Sequence, residues 1–401
     1  MLSVDEARAR IIAPLRPTPA EIVALPEAWG RVLAGPIQAR LTQPPADMSA
    51  MDGYALRAAD GEVGARLTVI GDAPAGRAFT GTVGAGQTVR LFTGSVVPGG
   101  ADCVLPQEDV DREDDCILVR EAAQAGRHVR RAGQDFRQGD TLVPGGVRLG
   151  ARAVGLIAAG NHPWVHVHRQ PRIAILATGD EVVLPGEPLA VGSIVSSNAH
   201  ALAALVRAKG GVPVVLPIAS DDPAAIASVA DCLSGIDLLL TTGGASVGDY
   251  DLVQASLATR GFALDFWRIA MRPGKPLLFG RLGDVPVLGL PGNPVSAFVC
   301  AVLFLLPALA RLGGLPDEAA PVVQAQLAAP VPANDHRADH LRAALTTDQN
   351  GGLTATPFNR QDSSLTQVLA SAGCLILRAP HAPALPAGAT VPVLRLDEMG
   401  L

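Results

Sequence analysis

The sequence predicts a multidomain chain of α/β and β type whose central part is a doubly wound α/β domain. Three apolar segments in this part each end in a turn-forming motif: ATGDEVV, TTGGASVGDYD and LPGNPVSA. Helical stretches separate the segments, as in a parallel sheet with helices on both faces. Such sheets bind ligands at the carboxyl ends of their strands, so we expect the three turns to share one site.

Changes of pattern along the chain predict the other domains. Residues 1–40 and 141–171 form a discontinuous N-terminal linking domain, because VDEARARII, PEAWGRVLA and GVRLGARAVGLIAAG are helical in pattern. Residues 41–140, rich in Gly and Pro with alternating segments such as RLTVIG and CILVRE, predict an inserted β-rich domain. The α/β domain covers residues 172–315. Residues 316–401 alternate again and predict a β-barrel or sandwich.

Helix signals inside the α/β domain are local and specific. Asn198 is expected to cap a helix that stops at Gly210, and either Asp221 or Asp222 caps the helix that begins at Pro223. The apolar run 295–306 predicts a buried helix with Asn293 as its cap, Pro294 at its first position and an end at Pro307.

Composition excludes several classes of protein. The chain has 401 residues, 48% of them hydrophobic, and a net charge of −6, which gives no electrostatic footprint for nucleic acid. The longest apolar run falls short of the ~20 residues that span a bilayer, and the first residues lack a signal-peptide pattern. Five widely spaced cysteines without a CxxC motif indicate free thiols in a reducing compartment. We therefore expect a cytoplasmic protein with a small ligand, without nucleic acid or membrane.

The turn LTTGGASVGDYD carries the strongest chemical signal. Gly243 and Gly244 permit backbone turns that side chains would forbid, Ser246 adds a hydroxyl, and Asp249 and Asp251 stand where a helix begins. A helix N-terminus favours anions, and carboxylates favour hard cations. The motif predicts a site for a phosphorylated ligand and a divalent metal.

The ordered set of motifs MDGYAL, FTGSVVPGGADCVLPQEDV, RRAGQDF, ATGDEVV, TTGGASVGDYD, MRPGKP and LPGNPVSA resembles the molybdopterin molybdenumtransferase family, MoeA, which also includes the E domain of gephyrin. The match runs in order from about residue 3 to the end of the chain. The resemblance implies four domains, the last a β-barrel. It also implies transfer of molybdate to the dithiolene of adenylylated molybdopterin, with hydrolysis of the pyrophosphate bond and release of AMP.

This chemistry requires both acids and cations. The resemblance implies Mg²⁺ held by carboxylates, with Glu181 and Asp251 as candidate ligands and as catalytic residues. The other candidates at the strand ends bind substrate: Thr178, Gly179, Asp180, Asp221, Gly243, Gly244, Ser246, Asp249, Pro291, Gly292, Asn293 and Pro294. Asp221 is either a site acid or a helix cap, and the sequence leaves the two open.

Cations come from the segment WRIAMRPGKP. Lys275 is the catalytic candidate, and Arg268 and Arg272 bind substrate, at positions where the family often has lysine. Arginine keeps the positive charge but presents a planar fork in place of a point donor.

Further candidates lie outside the α/β domain. The resemblance assigns Asp52 of MDGYAL to catalysis and Thr93 and Asp135 to substrate binding. It also places a functional serine in RQDSSL, where the choice between Ser363 and Ser364 is open and Ser363 is taken as the candidate. The histidines of NHPWVHVH are interpreted as surface or packing residues.

Two other functions compete with this interpretation. A molybdopterin adenylyltransferase shares the TGD and TTGG turns, but it would leave residues 1–150 without a purpose. A gephyrin-like scaffold without catalysis predicts a missing acid or basic loop, whereas this chain has both. The resemblance also implies a homodimer whose active sites are shared between subunits, and a possible partner is the adenylyltransferase of the same pathway.

Overall fold

The computed structural model describes residues 1–243, 249–316 and 321–397. Gly244 and Ser246 therefore lie outside the described residues, and Asp249 and Asp251 are described by their backbone alone.

The N-terminal 168 residues contain a small β-rich domain and the elements on either side of it. The elements are helix α1 (Val4–Ile12), strands β1 (Ala20–Ala24), β2 (Ile37–Gln38), β3 (Met48–Ser49), β4 (Gly53–Leu56), β5 (Arg66–Ala73), β6 (Gln87–Leu91), β7 (Cys103–Pro106), β8 (Val110–Glu113), β9 (Cys116–Val119), β10 (Val129–Arg130) and β11 (Thr141–Val143), helix α2 (Ala151–Ala159) and strand β12 (Trp164–His168). Strands β4 to β9 form one sheet in the order β7-β4-β6-β5-β9-β8. Strands β1 and β2 pair with β12 and β11, so the small sheet is inserted between two halves of one unit.

One predicted helix in this region is wrong. Only the first two residues of the segment PEAWGRVLA are helical, as part of a 3₁₀ turn, Leu25–Glu27, after strand β1. Gly30 adopts a positive φ of 76°, which turns the chain out of a helical path. The helical sequence pattern extends beyond Gly30, but the backbone changes direction at this residue, so the predicted helix does not form.

The α/β domain follows. Its elements are β13 (Arg172–Thr178), β14 (Val182–Val183), β15 (Ile194–Val195), α3 (Asn198–Ala208), β16 (Val212–Val215), α4 (Pro223–Ser228), β17 (Leu238–Gly243), α5 (Asp249–Ala258), β18 (Phe262–Arg268), β19 (Met271–Arg272), β20 (Pro276–Leu282), β21 (Val285–Leu290), α6 (Pro294–Cys300) and α7 (Leu306–Leu312). The sheet has the order β16-β13-β17-β21-β20-β18. Its first four strands are parallel, and β20 runs antiparallel to both of its neighbours, β21 and β18.

Two hydrophobic cores cover the two faces of this sheet. One core joins α1, α3, α6 and α7 to the sheet, and the other joins α4 and α5 to it. The predicted doubly wound architecture is confirmed. Helix α1, assigned from sequence to the linking domain, packs in the α/β core through Ala7 and Ile11.

The apolar segment after Asn293 forms one helical run, Pro294–Leu312, which is long and apolar enough to cross a membrane. It is 78% buried inside the structure, as the predicted buried helix requires. The predicted end at Pro307 is wrong. The segment Ala301–Leu305 takes a π-helical form, and α7 continues through the proline. This wider turn accommodates a residue that cannot donate a backbone N–H.

The C-terminal part is a closed barrel. Its elements are β22 (Val322–Leu327), β23 (Ala338–Thr347), β24 (Leu353–Pro357), the short helix α8 (Thr366–Ala370), β25 (Cys374–Arg378) and β26 (Thr390–Arg395). The five strands run in the order β23-β24-β22-β26-β25, and β23 pairs with β25 to close the ring. Strand β19 of the preceding domain adds to β23. The predicted β-barrel is confirmed.

Two arginine–aspartate ion pairs join neighbouring domains. The guanidinium of Arg169 donates to both carboxylate oxygens of Asp237 at 3.0 and 2.7 Å, and the Arg172 N–H donates to the same carboxylate at 2.7 Å. Arg272 makes a similar fork on Asp339 of the barrel, at 3.0 and 2.6 Å. Paired hydrogen bonds of this kind fix orientation as well as distance.

His340 makes stability dependent on pH. The imidazole is 6% exposed between the barrel and the α/β domain, its Nδ1 atom has no hydrogen-bond partner among the described residues, and burial lowers its pKa to about 4. The unfolded chain therefore binds this proton more readily, with a pKa of about 6.5. As pH falls from about 6.5 to about 4, the free energy of unfolding should decrease by an amount on the order of 3 kcal/mol.

We expect the His340→Gln variant to lose this part of the acid sensitivity, since glutamine does not titrate. Urea midpoints measured between pH 7 and pH 4 test it, with His200→Gln, on the exposed surface of α3, as the control. Parallel pH curves for wild type and His340→Gln would contradict the assignment.

Candidate functional site

The carboxyl ends of three neighbouring strands define the candidate site. In the parallel register Thr178 of β13 lies opposite Gly243 of β17, and Thr242 lies opposite Leu290 of β21. A cavity of about 560 Å³ opens at this edge. Its lining is Ala177, Thr178, Glu181, Val182, Ile194, Val195, Ser196, Ser197, Asn198, Thr242, Gly243, Gly292, Asn293, Pro294 and Ser364. The three motifs therefore meet, as the sequence analysis expects.

The turn after β13 brings two acids to this edge. Gly179 has a φ of 135°, and a Cβ atom there would lie 2.6 Å from a carboxylate oxygen of Glu181. Glycine thus gives the Glu181 side chain the room to lie against the turn and line the cavity. The exposed Asp180 carboxylate accepts the Asp221 N–H at 3.0 Å.

The two neighbouring aspartates before α4 have different roles. Asp222 caps the helix, with its carboxylate accepting the Ala225 N–H at 2.8 Å, and Pro223 stands at the first position. Asp221 is thus not the cap. Its carboxylate lies 3.5 Å from the Asp180 N–H, so two exposed acids face one another on adjacent turns.

The end of β17 depends on glycine. Gly243 has a φ of 128°, and a Cβ atom at this position would come within 2.3 Å of the Thr178 carbonyl oxygen. No side chain fits between two strand ends at that separation. The next residues of the motif lie outside the described residues until α5 begins at Asp249.

Asn198 is a site residue that sequence reasoning missed. It was expected to be a helix cap, but it is the first residue of α3, and the cap position belongs to Ser197. Its amide donates to Thr242 Oγ1 at 2.9 Å and to the Gly292 carbonyl oxygen at 2.7 Å. These partners are 44 and 94 positions away in sequence, so no local pattern announces them.

Two helix N-termini point to the cavity. Ser197 and Asn198 open α3, and Asn293 and Pro294 open the 19-residue run to Leu312. Asn293 stands at the cap position, but its side chain makes no capping hydrogen bond. N–H groups of a first turn lack partners within their own helix, and the helix dipole favours negative charge there. The cavity is therefore built to receive an anionic group.

The C-terminal barrel contributes a hydroxyl. Ser364 lines the cavity, and its Oγ and N–H both donate to the Asp362 carboxylate, at 2.5 and 2.8 Å. The two bonds lower the pKa of Asp362. Ser363 instead accepts the Val295 N–H through its carbonyl oxygen at 3.0 Å. Of the two serines that the sequence left open, Ser364 faces the cavity and Ser363 fixes the start of α6.

The three candidate cations have different surroundings. Lys275 is exposed, and the Arg268 guanidinium lies 3.6 Å from the Trp267 ring centroid. Arg272 is bound to Asp339, so its charge is already balanced. None of these three described residues lines the cavity. Among the described residues, Lys275 and Arg268 are the two whose charge is not matched by a carboxylate.

Asp52 and Thr93 form a second cluster on the small β-rich domain. The Asp52 carboxylate accepts the Thr93 N–H at 2.7 Å and the Thr93 hydroxyl at 2.8 Å. These bonds, with the positive charge of Arg90, lower the pKa of Asp52. Asp135 is exposed on a separate loop of the same region, with its backbone N–H bonded to the Gln43 carbonyl oxygen.

Comparison with protein families covers most of the chain. Residues 2–160 match the MoeA N-terminal region (domain I and II), residues 174–311 a probable molybdopterin binding domain, and residues 324–396 the MoeA C-terminal region (domain IV).

Individual relatives agree with these matches. The chain is 36% identical over 388 residues to molybdopterin molybdenumtransferase 2 of Mycobacterium tuberculosis, covering 94% of this chain and 95% of that protein. It is 33% identical over 402 residues to the molybdopterin molybdenumtransferase of Haemophilus influenzae, covering 98% of each. A crystal structure of the molybdopterin biosynthesis protein from Pyrococcus horikosii superposes with a TM-score of 0.87 at 29% identity, covering 98% of this chain and 99% of that one.

The amide of Asn198 provides a test of the site's construction. We expect Asn198→Ala to lower the free energy of unfolding by about 1–3 kcal/mol, since it leaves two part-buried acceptors without their donor. Urea denaturation measures the change, and Ser197→Ala, which removes an exposed hydroxyl beside it, should alter the value by less than about 0.5 kcal/mol. Equal effects of the two substitutions would show that the amide does not hold the strand ends.

Proposed function

The chain belongs to the MoeA family of molybdopterin molybdenumtransferases, and from this premise we propose that it transfers molybdenum in the biosynthesis of the molybdenum cofactor. The substrates are molybdate and adenylylated molybdopterin. Molybdenum is inserted into the dithiolene, the pyrophosphate bond is hydrolysed, and AMP is released. The observation that carries the proposal is the cavity where two helix N-termini and the acid-bearing turns of three parallel strands meet.

The helix N-termini give this cavity its role toward the substrate. The first-turn N–H groups of α3 stabilise the negative charge of the phosphate groups, and the dipole of the helical run that begins at Pro294 adds to this effect. In that run Pro294 has no N–H, and the Val295 N–H is bonded to Ser363. Asn198 and Gly243 keep the two termini in place. Donors fixed before the reaction stabilise developing charge without reorganisation. We assign the AMP and pyrophosphate part of the substrate to this cavity.

The acids are suited to a divalent cation. Glu181 lines the cavity, Asp180 and Asp221 face one another beside it, and the backbone of Asp251 lies in the first turn of α5. Within the described residues, no three such side chains converge into a metal site by themselves. We therefore propose that Glu181 and Asp251 hold Mg²⁺ together, with Asp180 and Asp221 as adjacent acids. When bound, the ion neutralises charge on the pyrophosphate.

The basic loop suits the second anionic substrate. Molybdate needs cations and N–H donors and is repelled by carboxylates whose charge is not balanced. Lys275 and Arg268 meet this need, since Arg272 is engaged with Asp339. We propose that these two side chains receive molybdate, while Arg272 fastens the loop to the barrel.

Two competing functions are less well supported. The matches to the MoeA N-terminal and C-terminal regions account for parts of the chain that a single-domain adenylyltransferase would lack. A scaffold without catalysis gives no reason for a cavity lined by Glu181, Ser364 and two helix N-termini. We propose instead that an adenylyltransferase supplies the substrate of this protein.

The proposed location is the cytoplasm. All five cysteines are free, and three of them are buried: Cys103, Cys300 and Cys374. Unpaired thiols are typical of reducing compartments.

Glu181→Ala tests the chemistry. The variant should lose AMP release from adenylylated molybdopterin in the presence of molybdate and Mg²⁺. Its free energy of unfolding should change by less than about 1 kcal/mol, because an exposed acid is removed without opening a cavity in the core. Asp284→Asn, at an exposed turn of the same domain, is the control and should keep full activity. AMP release by Glu181→Ala at the wild-type rate would show that this acid has no part in the reaction.

We also propose a homodimer in which Asp52 and Thr93 of one subunit complete the cavity of the other. Asp52 belongs to a separate sheet from the strand ends at Glu181, which supports a contribution from a second copy. Mixing equal amounts of inactive Asp52→Asn and Glu181→Ala subunits should give about half mixed dimers. Each mixed dimer has one intact site, so activity should return to roughly a quarter of wild type. No recovery after verified subunit exchange would place both residues in the same subunit's site.

A further inference from the structure

The surface around Asp52 combines an acid with exposed apolar groups. Gly53 pairs with Leu91 across β4 and β6, so Asp52 and Phe92 continue the two strands side by side. The side chains of Met51 and Phe92 are both 39% exposed. The carboxylate therefore lies next to a thioether and an aromatic ring that are open to solvent.

Arg90 packs against the Phe92 ring. Its guanidinium carbon lies 5.4 Å from the centroid of Phe92 and 4.9 Å from that of Tyr54, and it also donates to the Gln107 side chain. A guanidinium that lies over an aromatic ring is attracted to the face of that ring, and Arg90 makes this contact with both. The Arg90 contact orients the Phe92 ring, and the exposed 39% of this residue is available to a flat ligand.

The Asp52 carboxylate has acceptor capacity to spare. Both bonds from Thr93 go to Oδ1, and Oδ2 has no hydrogen-bond partner among the described residues. An ionised carboxylate is an acceptor only, so a ligand that fits here must present N–H or O–H donors.

The proposed substrate contains two flat ring systems that differ in this respect. The pterin carries adjacent donors on its 2-amino-4-oxo edge, the ring N–H and the amino group. The corresponding edge of adenine presents a donor beside an acceptor, and a carboxylate would repel the acceptor. The geometry and the donor pattern together select the pterin.

We propose that Asp52 and Phe92 bind the pterin ring of adenylylated molybdopterin, with Oδ2 of Asp52 accepting the N–H donors of the 2-amino-4-oxo edge and Phe92 lying against the ring face. This inference rests on the proposed function and assigns the pterin end of the same substrate. The AMP end occupies the cavity of the α/β domain.

Binding of simple pteridines to the full-length protein tests the inference. The probes are 6-hydroxymethylpterin and 6-hydroxymethyllumazine, which differ at position 2, where lumazine has a carbonyl acceptor in place of the amino donor. Fluorescence titration gives both dissociation constants. We expect wild type to prefer the pterin by at least about tenfold, equivalent to about 1.4 kcal/mol.

Variants separate recognition from structural effects. Asp52→Asn should lose the preference for pterin over lumazine, whereas Phe92→Leu should weaken both ligands and keep the preference. Glu113→Gln, in β8 at the opposite edge of the same sheet, is the control and should match wild type. AMP affinity, measured by calorimetry, should be unchanged in Phe92→Leu and Glu113→Gln, since neither residue lines the cavity of the α/β domain.

The outcomes distinguish this inference from the function on which it rests. The inference is overturned if the wild-type protein does not bind the pterin or binds both pteridines equally. It is also overturned if Asp52→Asn keeps the wild-type preference for the pterin. If AMP release from adenylylated molybdopterin is nevertheless normal in wild type, the proposed function stands and only the location of the pterin is wrong. Loss of that release in wild type would overturn the function itself.

Discussion

The parallel alignment of β13, β17 and β21 is the constraint on which the rest of the site depends. Because parallel strands end at the same edge of a sheet, three turns far apart in sequence are brought together at one place. Gly243 allows the strands to remain paired to their last residue, and the Asn198 amide ties two of the ends to the start of α3. The acids and helix N-termini of the cavity follow directly after these strand ends or pack beside them.

Charge is divided between two surfaces. The cavity of the α/β domain brings Glu181 and two helix N-termini together, so it can bind phosphate groups and a cation at the same place. The small β-rich domain presents an ionised Asp52 beside a supported aromatic ring, which suits a neutral heterocycle with N–H donors. A substrate with an anionic end and a pterin end matches both surfaces.

Contacts between domains limit how these surfaces move. Arg169 and Asp237 join the linking segment to the sheet, and Arg272 and Asp339 join the basic loop to the barrel. The barrel also reaches the cavity through Ser364, which is oriented by Asp362. The C-terminal domain thus contributes to the lining of the cavity.

Local sequence was sufficient to predict whatever depends on neighbouring residues. The strand-turn-helix order of the α/β domain, the barrel strands and the helix start at Pro223 all follow from apolar periodicity and turn chemistry within about ten residues. The local pattern misled where a single residue redirects the backbone, as at Gly30, or where a π-helical segment carries a helix through Pro307.

Only the tertiary structure decided which side chains meet. It gave Asn198 its distant partners, bound Arg272 to Asp339 and placed Ser364 at the cavity in preference to Ser363. The same folding showed that Asp222 is the cap and Asp221 faces Asp180. The contacts of Asn198, Arg272 and Asp221 join residues between 41 and 94 positions apart, and the periodicity of a sequence does not predict which distant residues will meet.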